Sequence, residues 1–329
     1  MSVPLLEVRD LRTWFFTRWG VVKAVDGVSF AVHQGETLGI VGESGCGKSM
    51  TALSVLRLVP RPGGRIMGGQ VLLEGDDLLA KSEREMRRIR GSRVSMILQD
   101  PMSSLNPVFT IGDQVAEALR IHQRLDGSRL WATARDMLRR VRIPSPELRL
   151  RAYPHQLSGG MRQRVVGAIA LSCRPRVLLA DEPTTSLDVT IQAQYLRLLK
   201  ELQQEMRLAL VFITHDFGIV AKMCDRVAVM YAGRIVETGD VREIFNRPRH
   251  PYTQALLASV PPLESRVERL ASIEGQPPPL HALPPGCPFV PRCAHARTVC
   301  RQEYPPVVAA GHDDGHRAAC WKVAERWDG

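Results

Sequence analysis

The chain has 329 residues, of which 24% are charged and 44% hydrophobic, a composition typical of a globular protein with one large domain or two modest ones. The net charge of +10 fits an anionic ligand, a nucleic acid or an acidic membrane surface without choosing among them. We find no run of 18 apolar residues and no secretion-signal pattern, so we expect no membrane span and a cytosolic location.

Two kinds of strand pattern run along the chain. Alternating apolar and polar residues predict antiparallel strands, at 5–11 and 28–36. Continuous apolar runs predict parallel strands covered on both faces, at 38–41, 93–100, 176–181 and 208–216. Helices are predicted between these runs. After the run at 38–41, apolar residues recur at helical spacing at Leu53, Leu56 and Val59, and a second helical pattern covers 189–206. The order of elements therefore predicts a parallel α/β sheet.

Three further segments complete the outline. The stretch 110–175 is helical in pattern and rich in arginine, which indicates a helical insert. The stretch 226–240 predicts a hairpin that turns at Ala232-Gly233. Prolines crowd in after about residue 245, which indicates a linker and a small terminal extension that begins near 280.

A glycine-rich loop lies between the strand at 38–41 and the helix that follows it. Its sequence "GESGCGKS" (42–49) matches G-x-x-x-x-G-K-[ST], in which glycines let backbone N–H groups cradle phosphate oxygens. Lys48 can reach the β- and γ-phosphates, and Ser49 can ligate Mg²⁺. We interpret Cys46 as a small spacer and not a redox thiol. The alternative is a glycine-rich turn without a ligand.

Two adjacent carboxylates end the strand at 176–181. Charge is unfavourable at the end of a buried strand unless a partner offsets it. A metal and a triphosphate would do so, with Asp181 holding Mg²⁺ and Glu182 polarising the water that attacks the γ-phosphate. The alternative is a salt-bridged pair with a structural role.

The segment "LSGGMRQR" (157–164) lies before Asp181. Together with the phosphate loop, it resembles the nucleotide-binding subunit of an ATP-binding cassette (ABC) transporter, over residues 5 to about 250. The resemblance implies an α/β fold, a P-loop NTPase (RecA-like) core with an antiparallel β subdomain, a helical signature subdomain and a Cys-containing C-terminal extension. We place the nucleotide-binding domain at 5–255, its helical insert at about 100–175 and the extension at 256–329.

The same resemblance implies a role for each matching residue. Gln99 would contact Mg²⁺ and sense the γ-phosphate, and His215 would contact the γ-phosphate as the switch histidine. The signature residues would cap the γ-phosphate of ATP held by the opposite subunit, and they are Ser158, Gly159 and Gly160. Asp188 would cross the dimer interface as part of the D-loop "SLD".

The remaining nucleotide contacts are expected from the loop and from an aromatic residue. The expected loop contacts are Gly42, Ser44, Gly45, Cys46, Gly47, Lys48, Ser49 and Met50. An aromatic side chain should stack on adenine, and "WFFTRWG" (14–20) supplies the candidates. The ungapped spacing back from "AVDGVSF" in the family pattern favours Phe15, with Trp14 and Trp19 as alternatives.

Three classes of ABC protein carry such motifs: an importer subunit, a half exporter, and a soluble protein of DNA repair or translation. The chain has no membrane domain, a single phosphate loop and no sustained heptads over 50–156, which favours the importer. The segments 99–114, 153–164 and 246–257 resemble the dipeptide/oligopeptide/nickel importer family.

That resemblance implies uptake of di- or oligopeptides, with nickel or another small solute as the alternative. It implies a second ATPase subunit, either a paralogue or an identical copy, two membrane permeases and an extracytoplasmic solute-binding protein. It implies no nucleic acid as partner. The expected location is the cytoplasmic face of the bacterial inner membrane.

Four cysteines are concentrated in the extension, at Cys287, Cys293, Cys300 and Cys320. In a cytosolic chain they favour a metal or an iron–sulfur cluster over disulfides. Their resemblance to the tail of peptide-importer ATPases implies a 4Fe–4S site. Zinc is the alternative, with a histidine then replacing a cysteine, from among His295, His312 and His316. The third interpretation is that the four cysteines are free thiols and bind no metal.

Overall fold

The structure is a computed structural model, and it describes residues 3–100, 104–185, 187–260, 273–311 and 315–327. The strands in chain order are β1 (Leu6–Thr17), β2 (Gly20–Val32), β3 (Thr37–Val41), β4 (Gly64–Leu73), β5 (Asp76–Asp77), β6 (Val94–Ile97), β7 (Val177–Asp181), β8 (Ala209–Thr214), β9 (Arg226–Tyr231), β10 (Arg234–Asp240), β11 (Val307–Ala309) and β12 (Arg317–Ala319).

The helices among the described residues are likewise numbered in chain order. They are α1 (Lys48–Val55), α2 (Glu83–Ile89), α3 (Ile111–Gln123), α4 (Gly127–Arg140), α5 (Pro146–Arg149), α6 (Gly159–Leu171), α7 (Val189–Met206), α8 (Phe217–Met223), α9 (Val241–Asn246), α10 (Pro251–Ala258), α11 (Thr298–Gln302) and α12 (Trp321–Ala324). Short 3₁₀ turns lie at Pro154–Gln156 and Val290–Arg292. No helix in the described part of the chain is long and apolar enough to cross a membrane.

The chain divides into two compact units. The first unit comprises residues 1–6, 32–36 and 73–213, and the second comprises 7–31, 37–72 and 214–329. The division is interleaved along the chain, so the predicted domain boundary at 255 remains a prediction.

The first unit is built on parallel strands, as the apolar runs predict. β6 pairs with β7 in parallel from Val94 opposite Val177, and β7 pairs with β8 as far as Asp181 opposite Ile213. Every residue of β7 is buried, as the sequence pattern predicts for a parallel strand covered on both faces. The strand at 93–100 is shorter than predicted, since β6 ends at Ile97.

Helices fill the described part of the interval between β6 and β7, in the stretch where the sequence predicts a helical insert. Thr110 caps α3 by accepting a hydrogen bond from the Asp113 N–H, and α3 packs against α4 and α6. After β7, α7 spans the predicted 189–206.

The second unit carries its own strands. β1 lies between β2 and β4, and the two-residue connection to β2 makes that pair an antiparallel hairpin. β3 runs parallel to β9, from Leu38 opposite Arg226 to Val41 opposite Val229. β9 turns into the antiparallel β10 through Ala232 and Gly233, whose φ values of 47° and 82° fit a type I′ turn. The predicted hairpin is confirmed.

The cysteine-bearing extension adds strands to that hairpin. β12 pairs antiparallel with β10, Glu237 lying opposite Ala318, and β11 pairs with β12. The tail is therefore integrated into the sheet of the second unit.

Two predicted boundaries need correction. The alternation at 28–36 suggested a strand to residue 36, but β2 ends at Val32, since the Glu36 carboxylate accepts the His33 N–H and Gly35 takes a φ of 77°. The helical spacing suggested a helix to Val59, but α1 ends at Val55 because Arg57 adopts a φ of 53°.

Candidate nucleotide-binding site

The glycine-rich loop of the second unit connects β3 to α1 through close contacts that exclude side chains. Gly42 has a φ of 154°, and a Cβ there would lie 2.1 Å from the Met230 carbonyl oxygen. Gly47 has a φ of 107°, and its Cβ would lie 2.1 Å from the Ala24 carbonyl oxygen. Both positions require glycine, because any other residue would collide with the backbone.

A buried lysine braces the same loop. The Lys48 side chain is 5% exposed, and its Nζ donates to the carbonyl oxygens of Gly42 at 2.8 Å and Glu43 at 2.9 Å. Gly47 is the N-cap of α1 and offers no capping side chain, so no side chain competes for the N–H groups of the first turn. An ammonium beside a helix N-terminus is an arrangement that binds phosphate.

The other predicted loop contacts differ in exposure. Ser44 and Gly45 are exposed, while Ser49 and Met50 are half-buried in the first turn of α1. Cys46 is buried, and this burial raises the pKa of its thiol, which keeps it neutral and poorly reactive. That property agrees with its interpretation as a spacer.

The carboxylate pair of the first unit lies at the carboxyl end of β7. Asp181 is 4% exposed and Glu182 adopts a left-handed φ of 44°. The Glu182 N–H donates to the Ile213 carbonyl oxygen at 2.9 Å, which fixes this strained residue beside β8.

Two hydrogen bonds orient the Glu182 side chain. Its Oε2 accepts from Gln99 Nε2 and from Thr185 Oγ1, both at 3.0 Å. Gln99 lies 83 residues away in sequence, so the fold brings together two residues that were predicted to act on one nucleotide. The arrangement can hold a carboxylate in place to orient or deprotonate a water.

The predicted signature residues lie at a groove of about 540 Å³ in the first unit. Ser158 is the N-cap of α6 and Asp188 is the N-cap of α7, and both residues line the groove together with Arg164. Two helix N-termini and an arginine favour an anion there. A Cβ on Gly160 would lie 2.5 Å from Ile191 Cγ2, so this glycine permits the close packing of α6 on α7. Ser186 of the D-loop lies outside the described residues.

The remaining predicted contacts lie in the second unit. His215 follows β8 and is exposed. Phe15 is half-buried on β1 and packs near Gly64, while Trp19 is 71% exposed with the Arg18 guanidinium 4.6 Å from its ring centroid. These positions leave the choice of Phe15 over Trp14 and Trp19 for adenine stacking a prediction.

The four tail cysteines line one small cavity of about 20 Å³, together with His295. All seven cysteines of the chain are described, and none forms a disulfide. Burial raises the pKa of the Cys287 thiol to about 12 and raises the pKa values of Cys293 and Cys320. These three thiols are therefore neutral in the absence of a bound cation.

The tail side chains, as they are placed here, do not form a set of metal ligands. No group of three or more His, Cys, Asp or Glu side chains within the described ranges is placed to hold a metal ion. A zinc ion binds thiolates at about 2.3 Å, which sets the four sulfur atoms roughly 3.8 Å apart. His316 pairs with Glu237 at 2.8 Å instead of facing the cysteines, and His312 lies outside the described residues.

Sequence reasoning missed two residues that contact the phosphate loop. The Glu43 N–H donates to Tyr252 Oη at 2.9 Å, and Arg292 forms two hydrogen bonds to the Glu43 carboxylate at 2.6 and 2.8 Å. No local pattern could reveal a partner 249 residues away.

Comparison with known proteins identifies the family. A protein-family model described as "ABC transporter" matches residues 25–185. A second family model, described as "Oligopeptide/dipeptide transporter, C-terminal region", matches residues 236–300. The probable peptide ABC transporter ATP-binding protein y4tR of Sinorhizobium fredii (strain NBRC 101917 / NGR234) is 54% identical over 322 residues, which are 98% of this chain and 96% of that protein. The chain belongs to the ABC transporter ATP-binding proteins.

Other ABC proteins are also similar to this chain in sequence and in structure. The dipeptide transport ATP-binding protein DppD of Bacillus subtilis (strain 168) is 49% identical over 98% of this chain and 96% of its own length. Among solved structures, the dimeric ATP-binding cassette MJ0796 bound to ADP and Pi superposes with a TM-score of 0.65 at 25% identity, over 72% of this chain and 99% of that one. The predicted ABC fold is confirmed, and the protein is an ABC ATPase that binds ATP.

Proposed function

We propose that this ABC ATPase powers the uptake of di- or oligopeptides across the bacterial cytoplasmic membrane. The observation that carries the proposal is its similarity, over almost the whole chain, to ATP-binding proteins named for peptide and dipeptide transport. The match of residues 236–300 to a C-terminal region of oligopeptide/dipeptide transporters extends that similarity into the tail. Nickel import by the same machinery is the second candidate.

The machinery we propose has four further components: a second ATPase subunit, two membrane permeases and an extracytoplasmic solute-binding protein. The ATPase would associate with the permeases at the cytoplasmic face of the membrane. Its part is to bind and hydrolyse ATP, and the binding protein and permeases would select the solute.

We assign the chemistry to the residues predicted from the sequence. Lys48 and the N–H groups of α1 would bind the phosphates, and Ser49 and Asp181 would ligate Mg²⁺, which neutralises developing charge on the triphosphate. Glu182, oriented by Gln99, would act on the attacking water.

The remaining assignments concern the γ-phosphate and the second subunit. His215 would contact the γ-phosphate. Ser158, Gly159 and Gly160 would cap the γ-phosphate of ATP bound to the partner subunit, because they line a groove at the N-terminus of α6.

Deleting the gene in its source bacterium tests the proposed substrate. We expect uptake of a radiolabelled dipeptide to fall to background and to return with the wild-type gene but not with Lys48→Ala, which lacks the ammonium. Nickel accumulation is measured in the same strains. Unchanged peptide uptake with lost nickel accumulation would support the second candidate, and no change in either would contradict an import role for this chain.

We also propose that the four tail cysteines hold a 4Fe–4S cluster. The support is that all four thiols line one cavity and none is in a disulfide. A cluster binds each cysteine through a different iron, so it places the sulfur atoms farther apart than a single ion does. The cavity as it stands has room for about one water-sized group, so the thiol side chains must turn outward to admit a cluster.

Iron and sulfide analysis of anaerobically purified protein tests this proposal. We expect about four irons and four sulfides per chain, as a cubane held by four thiolates requires, and a broad visible absorption that Cys300→Ser removes. Cys173→Ser is the matched control, since Cys173 is a half-buried cysteine of the first unit. Zinc without iron, or no metal at all, would overturn the cluster.

A further inference from the structure

All three guanidinium nitrogens of Arg292 donate hydrogen bonds within the second unit. Its Nε donates to the Glu274 carbonyl oxygen at 3.1 Å. Nη1 donates to Glu43 Oε2 at 2.6 Å and to Tyr231 Oη at 3.4 Å. Nη2 donates to Glu43 Oε1 at 2.8 Å and to the Ile273 carbonyl oxygen at 3.3 Å. An arginine has five N–H donors, so every donor of this side chain is used.

The Arg292 side chain is shielded from solvent, whereas the Glu43 side chain that it binds is 27% exposed. The Arg292 side chain is 2% exposed, and its guanidinium carbon lies about 6 Å from the ring centroids of Tyr231 and Phe289. Tyr231 also packs on Tyr252, with ring centroids 4.5 Å apart. A charge in such a place depends on its partner, because water cannot replace the lost interaction.

The partner of Arg292 is the second residue of the phosphate loop. The Glu43 side chain is bound by Arg292, its N–H donates to Tyr252 Oη at 2.9 Å, and its carbonyl oxygen accepts from Lys48 Nζ at 2.9 Å. Three groups of one loop residue are therefore fixed, two of them by residues that follow β10. The chain of contacts runs from the tail through Glu43 to the lysine of the loop.

We propose that Arg292 is a positioning residue for ATP binding, which holds Glu43 and thereby keeps the phosphate loop in the conformation that receives the triphosphate. The cysteine-bearing tail is then part of the nucleotide site. Arg292 makes no contact with the reacting atoms in this role. Its loss lowers the fraction of molecules whose loop is ready to bind, and the apparent dissociation constant rises by the inverse of that fraction.

Substitution of Arg292 separates binding from turnover. If Arg292→Gln leaves one loop in ten competent, the dissociation constant and KM for Mg·ATP rise about 10-fold while kcat stays within about twofold of wild type. Arg292→Lys should recover only part of the affinity, since a lysine cannot form the two-pronged contact with a carboxylate. The full chain is titrated with a fluorescent ATP analogue and Mg²⁺, and steady-state hydrolysis gives KM and kcat.

Controls distinguish this role from general support of the fold. Arg301→Gln removes an exposed arginine of α11 and should bind nucleotide like the wild type. Glu43→Gln keeps the shape of the loop residue but removes its charge, and the double variant with Arg292→Gln should bind no more weakly than Arg292→Gln alone.

Several results would overturn the proposal. A folded Arg292→Gln protein with unchanged affinity would do so, as would a fall in kcat at unchanged KM or additive losses in the double variant. If Arg292→Gln does not fold, as judged by thermal unfolding, Glu43→Gln alone decides. Wild-type affinity in a folded Glu43→Gln protein would then exclude a role for the pair.

Discussion

Glu182→Gln is expected to leave Mg·ATP binding close to wild type and to slow hydrolysis by about 100-fold or more, the size of a lost general base. A glutamine carbonyl oxygen can still accept the hydrogen bonds that Gln99 and Thr185 donate to Oε2. The backbone bond from the residue 182 N–H to Ile213 is also unaffected. The substitution therefore removes the basic oxygen and little else. Nucleotide titration and phosphate release on the purified full chain measure the two effects.

Glu117→Gln provides the matched control for this experiment. Glu117 is an exposed carboxylate of α3 in the same unit, so the same chemical change there should alter neither binding nor turnover. Hydrolysis by Glu182→Gln at more than a tenth of the wild-type rate would assign the water-activating role to another group. Loss of binding would instead mean that the charge at 182 supports the nucleotide itself.

Local sequence was sufficient to place the elements that carry the phosphate chemistry. The loop at 42–49, the buried strand before Asp181 and the helix over 189–206 all follow from patterns within about 20 residues. Such patterns work because turn geometry, strand burial and helix periodicity are each set by near neighbours. The ends of β2 and α1 were less predictable, because left-handed residues such as Arg57 give no compositional signal.

The contacts that orient the site residues could not be predicted from local sequence patterns. Gln99 and Glu182 are joined only when β6 and β7 pair in register, and the resemblance to the ABC family, not the pattern, suggested that they act together. The pairing of Arg292 with Glu43 had no such guide, since it depends on how the tail folds onto the second unit. Long-range ion pairs are set by tertiary packing, and neither residue stands out in composition.

Gly47→Ala is expected to reduce Mg·ATP affinity strongly. The added Cβ would lie 2.1 Å from the Ala24 carbonyl oxygen, and a φ of 107° is unfavourable for alanine. Relief of that collision must move the backbone that starts α1 and carries Lys48. We expect the dissociation constant to rise by more than about 100-fold, which corresponds to roughly 2.7 kcal/mol of binding free energy.

Gly45→Ala separates the collision from the conformational strain. Gly45 has a φ of 78°, but no atom lies within 4 Å of where its Cβ would be. Alanine there carries only the left-handed penalty of about 1–2 kcal/mol, so its affinity loss should stay at about 30-fold or less. Titration of both folded variants with a fluorescent ATP analogue compares them directly. Equal losses would show that φ alone makes glycine necessary, and that close approach of the Ala24 carbonyl does not shape the loop.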